Sequence, residues 1–200
     1  MNDLIAELTP SLIILDLGNV LIDCYPRRFA ERINQLTDKS PLYVSERYCG
    51  GVIKEAFERG YTDELDFFAE MADWLNLSRR QIKELMILWS DIFAVKNQAE
   101  RVLEGLTKNY PVWILSDTNI THYNYCSRQY PFLNKAERFI ASFETGFLKK
   151  DPGAFERVIR IAGITPDKIV FLDDLEVNIT AAKQAGLQAF QFTNWAEWGY

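Results

Sequence analysis

The chain has 200 residues, 48% hydrophobic and 25% charged, which suffices for a full core and a modest second lobe and excludes a mainly disordered polypeptide. A formal charge of -6 leaves no basic stripe for a phosphate backbone, so nucleic-acid binding is not expected. Cys24, Cys49 and Cys126 are odd in number, widely spaced and without a C-x-x-C pair, which points away from disulfides and zinc and toward a reducing, cytoplasmic setting.

Taken in chain order, residues 1–10 carry Asp3 and Glu7 and lack the basic start and apolar run of a signal peptide; no apolar run is long enough to span a bilayer. A buried strand is predicted at 12–15, stopping at Asp16, with Gly18 and Asn19 as turn chemistry. From 27 to 93 the apolar residues fall at helical spacing. Phe29, Ile33 and Leu36 form one face; Leu65, Phe68, Met71, Trp74 and Leu75 a second; Ile82, Leu85, Met86 and Trp89 a third. Asp63 and Ser78 stand where helix starts are capped.

A helix over 98–108 then leads to a strand at 112–115 ending at Ser116. A strand is expected at 139–143, a helix after Pro152, a strand at 168–172 ending at Asp173 and Asp174, a helix over 177–184 closed by Gly186, and a last strand at 188–192. The tail after Asn194 holds Trp195, Trp198 and Tyr200 and reads either as an interface or as a segment folded back on the core.

Alternation of apolar strands and helices implies an α/β fold, a Rossmann-like parallel sheet, with residues 1–22 and 96–200 forming the core and 23–95 an inserted α-helical cap. In such sheets ligands sit at the carboxyl ends of strands, which brings Asp16, Ser116, Asp173 and Asp174 to one rim. Carboxylates gathered there repel one another. A hard divalent cation such as Mg2+ relieves that repulsion and attracts phosphate.

These residues resemble, in order, the four motifs of the haloacid-dehalogenase-like superfamily. Asp16-Leu17-Gly18-Asn19-Val20 after four apolar residues is similar to the first motif, and Ser116-Asp117-Thr118-Asn119 to the second. Gly146 to Phe155 is similar to the third, with Lys149 as the motif lysine and Lys150 where proline is common; Asp173-Asp174 with Asn178 and Gly186 is similar to the fourth. Within the family the first two motifs look most like sugar-phosphate phosphatases.

The resemblance implies an Mg2+-dependent phosphatase acting on a small phosphorylated metabolite, without membrane or nucleic-acid partners. Asp16 would be the nucleophile, transiently phosphorylated, and Lys149 would neutralise it and the phosphate. Ser116 and the backbone N–H of Asp117 would bind phosphate, while Asp16, the Gly18 carbonyl and Asp174 would ligate the metal, with Asp173 as support or as an alternative ligand. Position 18 departs from the family, where an aspartate commonly moves the proton of the leaving group; glycine cannot, and its presence suggests a backbone with positive φ. The substrate then has a good leaving group, or Asp23 or a cap residue substitutes, or turnover is slow. A phosphate-binding scaffold without turnover and a haloacid dehalogenase are the competing functions. His122, the only histidine, is expected to pack rather than to act as a base.

Overall fold

Leu12 to Leu15 are apolar without exception and buried on both faces, as a central strand of a parallel sheet requires. In the computed structural model, which describes residues 4–200, a short helix α1 (Leu4–Glu7) precedes this strand, β1 (Leu12–Leu15). Next come β2 (Ile22–Cys24), the helices α2 (Pro26–Arg32), α3 (Pro41–Tyr48), α4 (Gly51–Glu58), α5 (Glu64–Trp74) and α6 (Ile82–Ser90), and β3 (Phe93–Val95). The remainder alternates: α7 (Ala99–Leu106), β4 (Val112–Ser116), α8 (Ile120–Gln129), β5 (Arg138–Ala141), α9 (Ser142–Thr145), α10 (Ala154–Ala162), β6 (Ile169–Asp173), α11 (Glu176–Gln184) and β7 (Gln188–Gln191).

The main sheet has the order β5-β4-β1-β6-β7 and every pairing in it is parallel. Ile14 lies level with Trp113 on one side and Phe171 on the other, so the strand ends that follow come out together. The chain leaves β1 toward β4 and later returns to its other flank with β6. This reversal opens a crevice at the carboxyl end of β1, the place where such sheets take ligands.

β2 and β3 pair antiparallel, Asp23 opposite Ala94, and tie together the two chain passages between the sheet and the helices α2 to α6. Three residues per strand leave no alternation to detect, which is why the sequence pattern misses this ribbon. The helices close on an aromatic cluster: Phe57 stacks on Phe67 at 4.0 Å, and Phe29 meets Trp89 edge-on at 4.9 Å. Leu65 does not join it. The cap at Asp63, whose carboxylate accepts from the Asp66 N–H, sets α5 so that Phe67 and Phe68 turn inward and Leu65 faces solvent.

The strand expected to continue to residue 143 stops at Ala141, because Ser142 begins α9 and its hydroxyl is drawn to the backbone carbonyls of Glu58 and Thr118. The aromatic tail folds back: Trp195 is buried and its indole N–H donates to the Val20 carbonyl at 3.0 Å. No helix among the described residues is long and apolar enough to cross a membrane.

The carboxyl end of α4 packs against α9, the short helix that follows β5. Gly60 has φ +69°, and a Cβ there would lie 2.3 Å from the Phe143 carbonyl oxygen. Only glycine suits that backbone and that approach. Gly60→Ala is expected to lift this end of α4 and to cost about 1–3 kcal/mol, read as a lower denaturant midpoint with an unchanged slope.

Candidate active site

Asp16 follows β1 with its backbone N–H still bound to the Leu172 carbonyl at 2.9 Å, so its side chain is anchored by the sheet. The loop after it curls tightly: Leu21 and Ile22 both donate to the Leu17 carbonyl, and Asn19 adopts φ +55°. The Asn19 amide nitrogen donates to Asp174 at 2.8 Å while its oxygen accepts from the Cys24 N–H. Sequence reasoning read Asn19 as turn chemistry and missed this bridge between the loops after β1 and β6. The available signal was an amide side chain at a turn position beside a carboxylate-rich rim.

Lys149 is buried, and its ammonium donates to Asp16 Oδ1 at 2.6 Å and to Asp173 Oδ2 at 2.5 Å. Its backbone N–H donates to Asp117 Oδ1 at 3.0 Å, which places the lysine relative to β4. Lys150 instead points to Glu55 at the rim, so the register that makes Lys149 the interior lysine is the one the chain adopts. Asp173 is fully buried and its oxygens are taken: the Leu175 N–H, the Asn178 amide and Lys149 all donate to them. Ser116, also buried, lines the cavity with a hydroxyl that has no hydrogen-bond partner among the described residues.

Oxygens of Asp16, Asp173 and Asp174 lie within 4.8 Å of one another. With all three ionised, these carboxylates against the Lys149 ammonium would leave two uncompensated negative charges. The site's own groups feel this imbalance: burial pushes Asp16 up to about 8 against the pull of Lys149, and Asp173 and Asp174 push it further. Lys149 is pulled down by burial, but Asp16, Asp173 and Asp117 outweigh that and hold it above its ordinary value. A divalent cation held by hard oxygens fits both the donor set and the missing charge. Asp16 Oδ2 accepts no hydrogen bond among the described residues, and it lies 3.9 Å from where a Cβ at position 18 would be. Gly18 is not in the left-handed region, contrary to expectation: the turn's positive φ falls on Asn19, and position 18 has room for a side chain.

A cavity of about 450 Å³ opens above these groups, with Asp16, Ser116, Lys149 and Asp174 in its floor and Lys54, Glu58 and Trp89 contributed by the helices. Asp23 does not line it and is paired with Lys96 at 2.8 Å. His122 does, but as a packed ring: it stacks on Trp89 with centroids 5.2 Å apart, and both nitrogens are engaged. The Asn119 amide donates to Nδ1, which leaves Nε2–H to donate to the Trp89 carbonyl at 3.0 Å.

A model of the haloacid dehalogenase-like hydrolases matches residues 10–186. The chain is 25% identical over 195 residues to a D-ribitol-5-phosphate phosphatase from Bacteroides thetaiotaomicron, covering 93% of both proteins. Its fold matches that of a haloacid-dehalogenase family enzyme from the same organism, crystallised with magnesium and inorganic phosphate, with a TM-score of 0.84, 23% identity, and 94% and 98% of the two chains covered. An L-2-haloacid dehalogenase from Xanthobacter autotrophicus with covalently bound chloropropionic acid is more distant, with a TM-score of 0.67, 14% identity, and 91% and 77% covered.

Burial lowers His122 from the ordinary 6.5 to about 3, against the support of the Trp89 carbonyl. The folded state therefore holds the ring neutral while the unfolded chain takes up a proton, so stability is complete above the unfolded value and is lost as pH falls from about 6.5 toward about 3. Between about pH 7 and about pH 5 this amounts to about 2 kcal/mol. His122→Gln, which can keep both hydrogen bonds, is expected to flatten that part of the acid limb when urea denaturation of the two proteins is compared at each pH.

Proposed function

Because the chain belongs to the haloacid dehalogenase-like hydrolases, we propose that it is a magnesium-dependent phosphatase of small phosphate monoesters, with a sugar or sugar-alcohol phosphate as substrate. The observation that carries this reading is the buried Asp16–Lys149–Asp173 cluster with Asp174 beside it, three carboxyl groups to one ammonium, at the floor of a cavity that also holds the free Ser116 hydroxyl. The phosphatase relative, alike over 93% of this chain, supports the substrate class.

Asp16 attacks phosphorus through Oδ2, the oxygen left free by Lys149, and the bond to the leaving oxygen breaks to give an aspartyl phosphate. Water then displaces Asp16 and releases phosphate. Lys149 and Ser116 neutralise and orient the outer phosphate oxygens, where charge resides in the transition state. Asp117 holds the backbone of Lys149, and its own N–H is a further donor for phosphate. Asp16, Asp174 and the Gly18 carbonyl would hold Mg2+, which when bound supplies charge neutralisation for the carboxylates and the phosphate. Asp173, its oxygens occupied, serves as the anchor of Lys149 rather than as a ligand. The cap, residues 23–95, closes the cavity over the leaving group.

The dehalogenase reading is weaker, since expulsion of halide has no use for a site lacking two positive charges. The scaffold reading draws its support from Gly18. A chromogenic phosphate ester assayed with and without Mg2+ separates them: steady, metal-dependent phosphate release is expected, and binding without release would favour the scaffold. Asp16→Asn should abolish turnover with the fold intact, because an amide is a poor nucleophile and a weaker ligand. Asp174→Ala should raise the Mg2+ concentration needed for half-maximal rate; an unchanged requirement would remove Asp174 from the metal site.

A further inference from the structure

Two displacements at phosphorus need a group that gives a proton to the leaving oxygen and takes one from water. The loop that carries Asp16 supplies none, its next three residues being Leu17, Gly18 and Asn19. Titratable side chains elsewhere in the cavity wall can be sorted by what already occupies them. Lys149 and Asp174 serve charge and metal. His122 has both nitrogens engaged, and burial keeps it neutral and unable to accept a proton. Asp117 is committed to the Lys149 backbone, and the Lys150–Glu55 pair lies at the exposed rim. Burial pushes the Cys24 thiol up to about 12, beyond use near neutral pH, and also raises Cys49, whose thiol donates to the Pro26 carbonyl.

Glu58 remains. It is the last residue of α4, 5% exposed, and lines the same cavity as Asp16. Its position is secured from two sides. The Ser142 hydroxyl donates to the Glu58 carbonyl at 2.6 Å and accepts the Thr118 N–H at 2.9 Å, tying the residue to the loop that follows Ser116. The adjacent Arg59 pairs with Asp151, whose carboxylate accepts the Leu148 N–H at 2.8 Å, tying it to the loop that carries Lys149. Lys54, one turn earlier on α4, pairs with the Glu58 carboxylate.

Resting on the phosphatase reading, we propose that Glu58 is the acid and base of the reaction. In the first step the Asp16 Oδ2–P bond forms, the P–O bond to the leaving group breaks, and the proton on Glu58 passes to that oxygen to give the alcohol. In the second, a water oxygen bonds to phosphorus, the P–Oδ2 bond breaks to restore Asp16, and the water proton returns to Glu58. Lys54 stabilises the carboxylate between the two steps. Burial raises Glu58 above its ordinary value, Lys54 opposes the rise, and Asp117 across the cavity and Glu55 on the same helix add to it, the direction a proton donor needs.

The test compares kcat/KM of the parent and of Glu58→Gln, with Mg2+, on a sugar-alcohol phosphate and on p-nitrophenyl phosphate. The poor leaving group should lose on the order of 10² to 10⁴ in kcat/KM and the good one less than about tenfold, since nitrophenolate departs without a proton. With the base also gone, the variant should release one equivalent of nitrophenolate in a burst and then slow. Gly18→Asp added to Glu58→Gln should recover hydrolysis of the sugar-alcohol phosphate, because position 18 has room for a carboxyl beside Asp16. An equal loss on both esters would make Glu58 a positioning residue and overturn the proposal; so would an unchanged ratio with no burst. Failure of the phosphatase reading itself would appear separately, in a parent that hydrolyses neither ester.

Discussion

Lys149 holds the site together. Its ammonium lies between the carboxylates at the ends of two adjacent strands, Asp16 after β1 and Asp173 in β6, and it is itself buried. Charges in such a place are tolerable only when each is paired and hydrogen-bonded, and removal of one partner strands the others. The sheet supplies the pairing by register: Leu15 lies level with Leu172, so the following carboxylates emerge side by side. Asn178 and the Leu175 N–H absorb the remaining capacity of Asp173, which leaves Lys149 free to lean on Asp16.

Around this centre the protein assembles its working surface from loops that are far apart in sequence. Asn19 joins the loop after β1 to that after β6; Asp117 joins the loop after β4 to Lys149; Ser142 and Arg59 join both of these to α4. The helices therefore do more than roof the cavity. They deliver Lys54 and Glu58 to it on an element fastened to the loops that hold Ser116 and Lys149.

Much of this was legible in the sequence, for a physical reason. A strand buried on both faces must be an apolar run, and its abrupt end in Asp16, Ser116 or Asp173 marks the rim directly. The order of those motifs carried the family, and the third motif set Lys149 as its lysine, with Lys150 where proline is common. What stayed hidden depends on contacts rather than on pattern. The bond from Ser142 to Glu58 spans 84 positions, and no local periodicity encodes it. Leu65 and Phe67 compete for the same inward face of α5, and the cap at Asp63 decides between them. Gly18 was read as a backbone requirement, yet the left-handed residue is its neighbour, since asparagine tolerates that region better than most residues with a side chain.

That neighbour is subject to two independent demands. At φ +55° the backbone of Asn19 admits glycine, asparagine or aspartate at low cost. Its side chain must also present a donor to Asp174 and an acceptor to the Cys24 N–H. Glycine meets the first demand and neither part of the second; aspartate meets the first and repels the very carboxylate it should hold; glutamine reverses the failure, suiting the hydrogen bonds but not the turn. Of these four only asparagine satisfies both, so position 19 is narrowly constrained although its side chain bonds to Asp174 and the Cys24 N–H and not to Asp16.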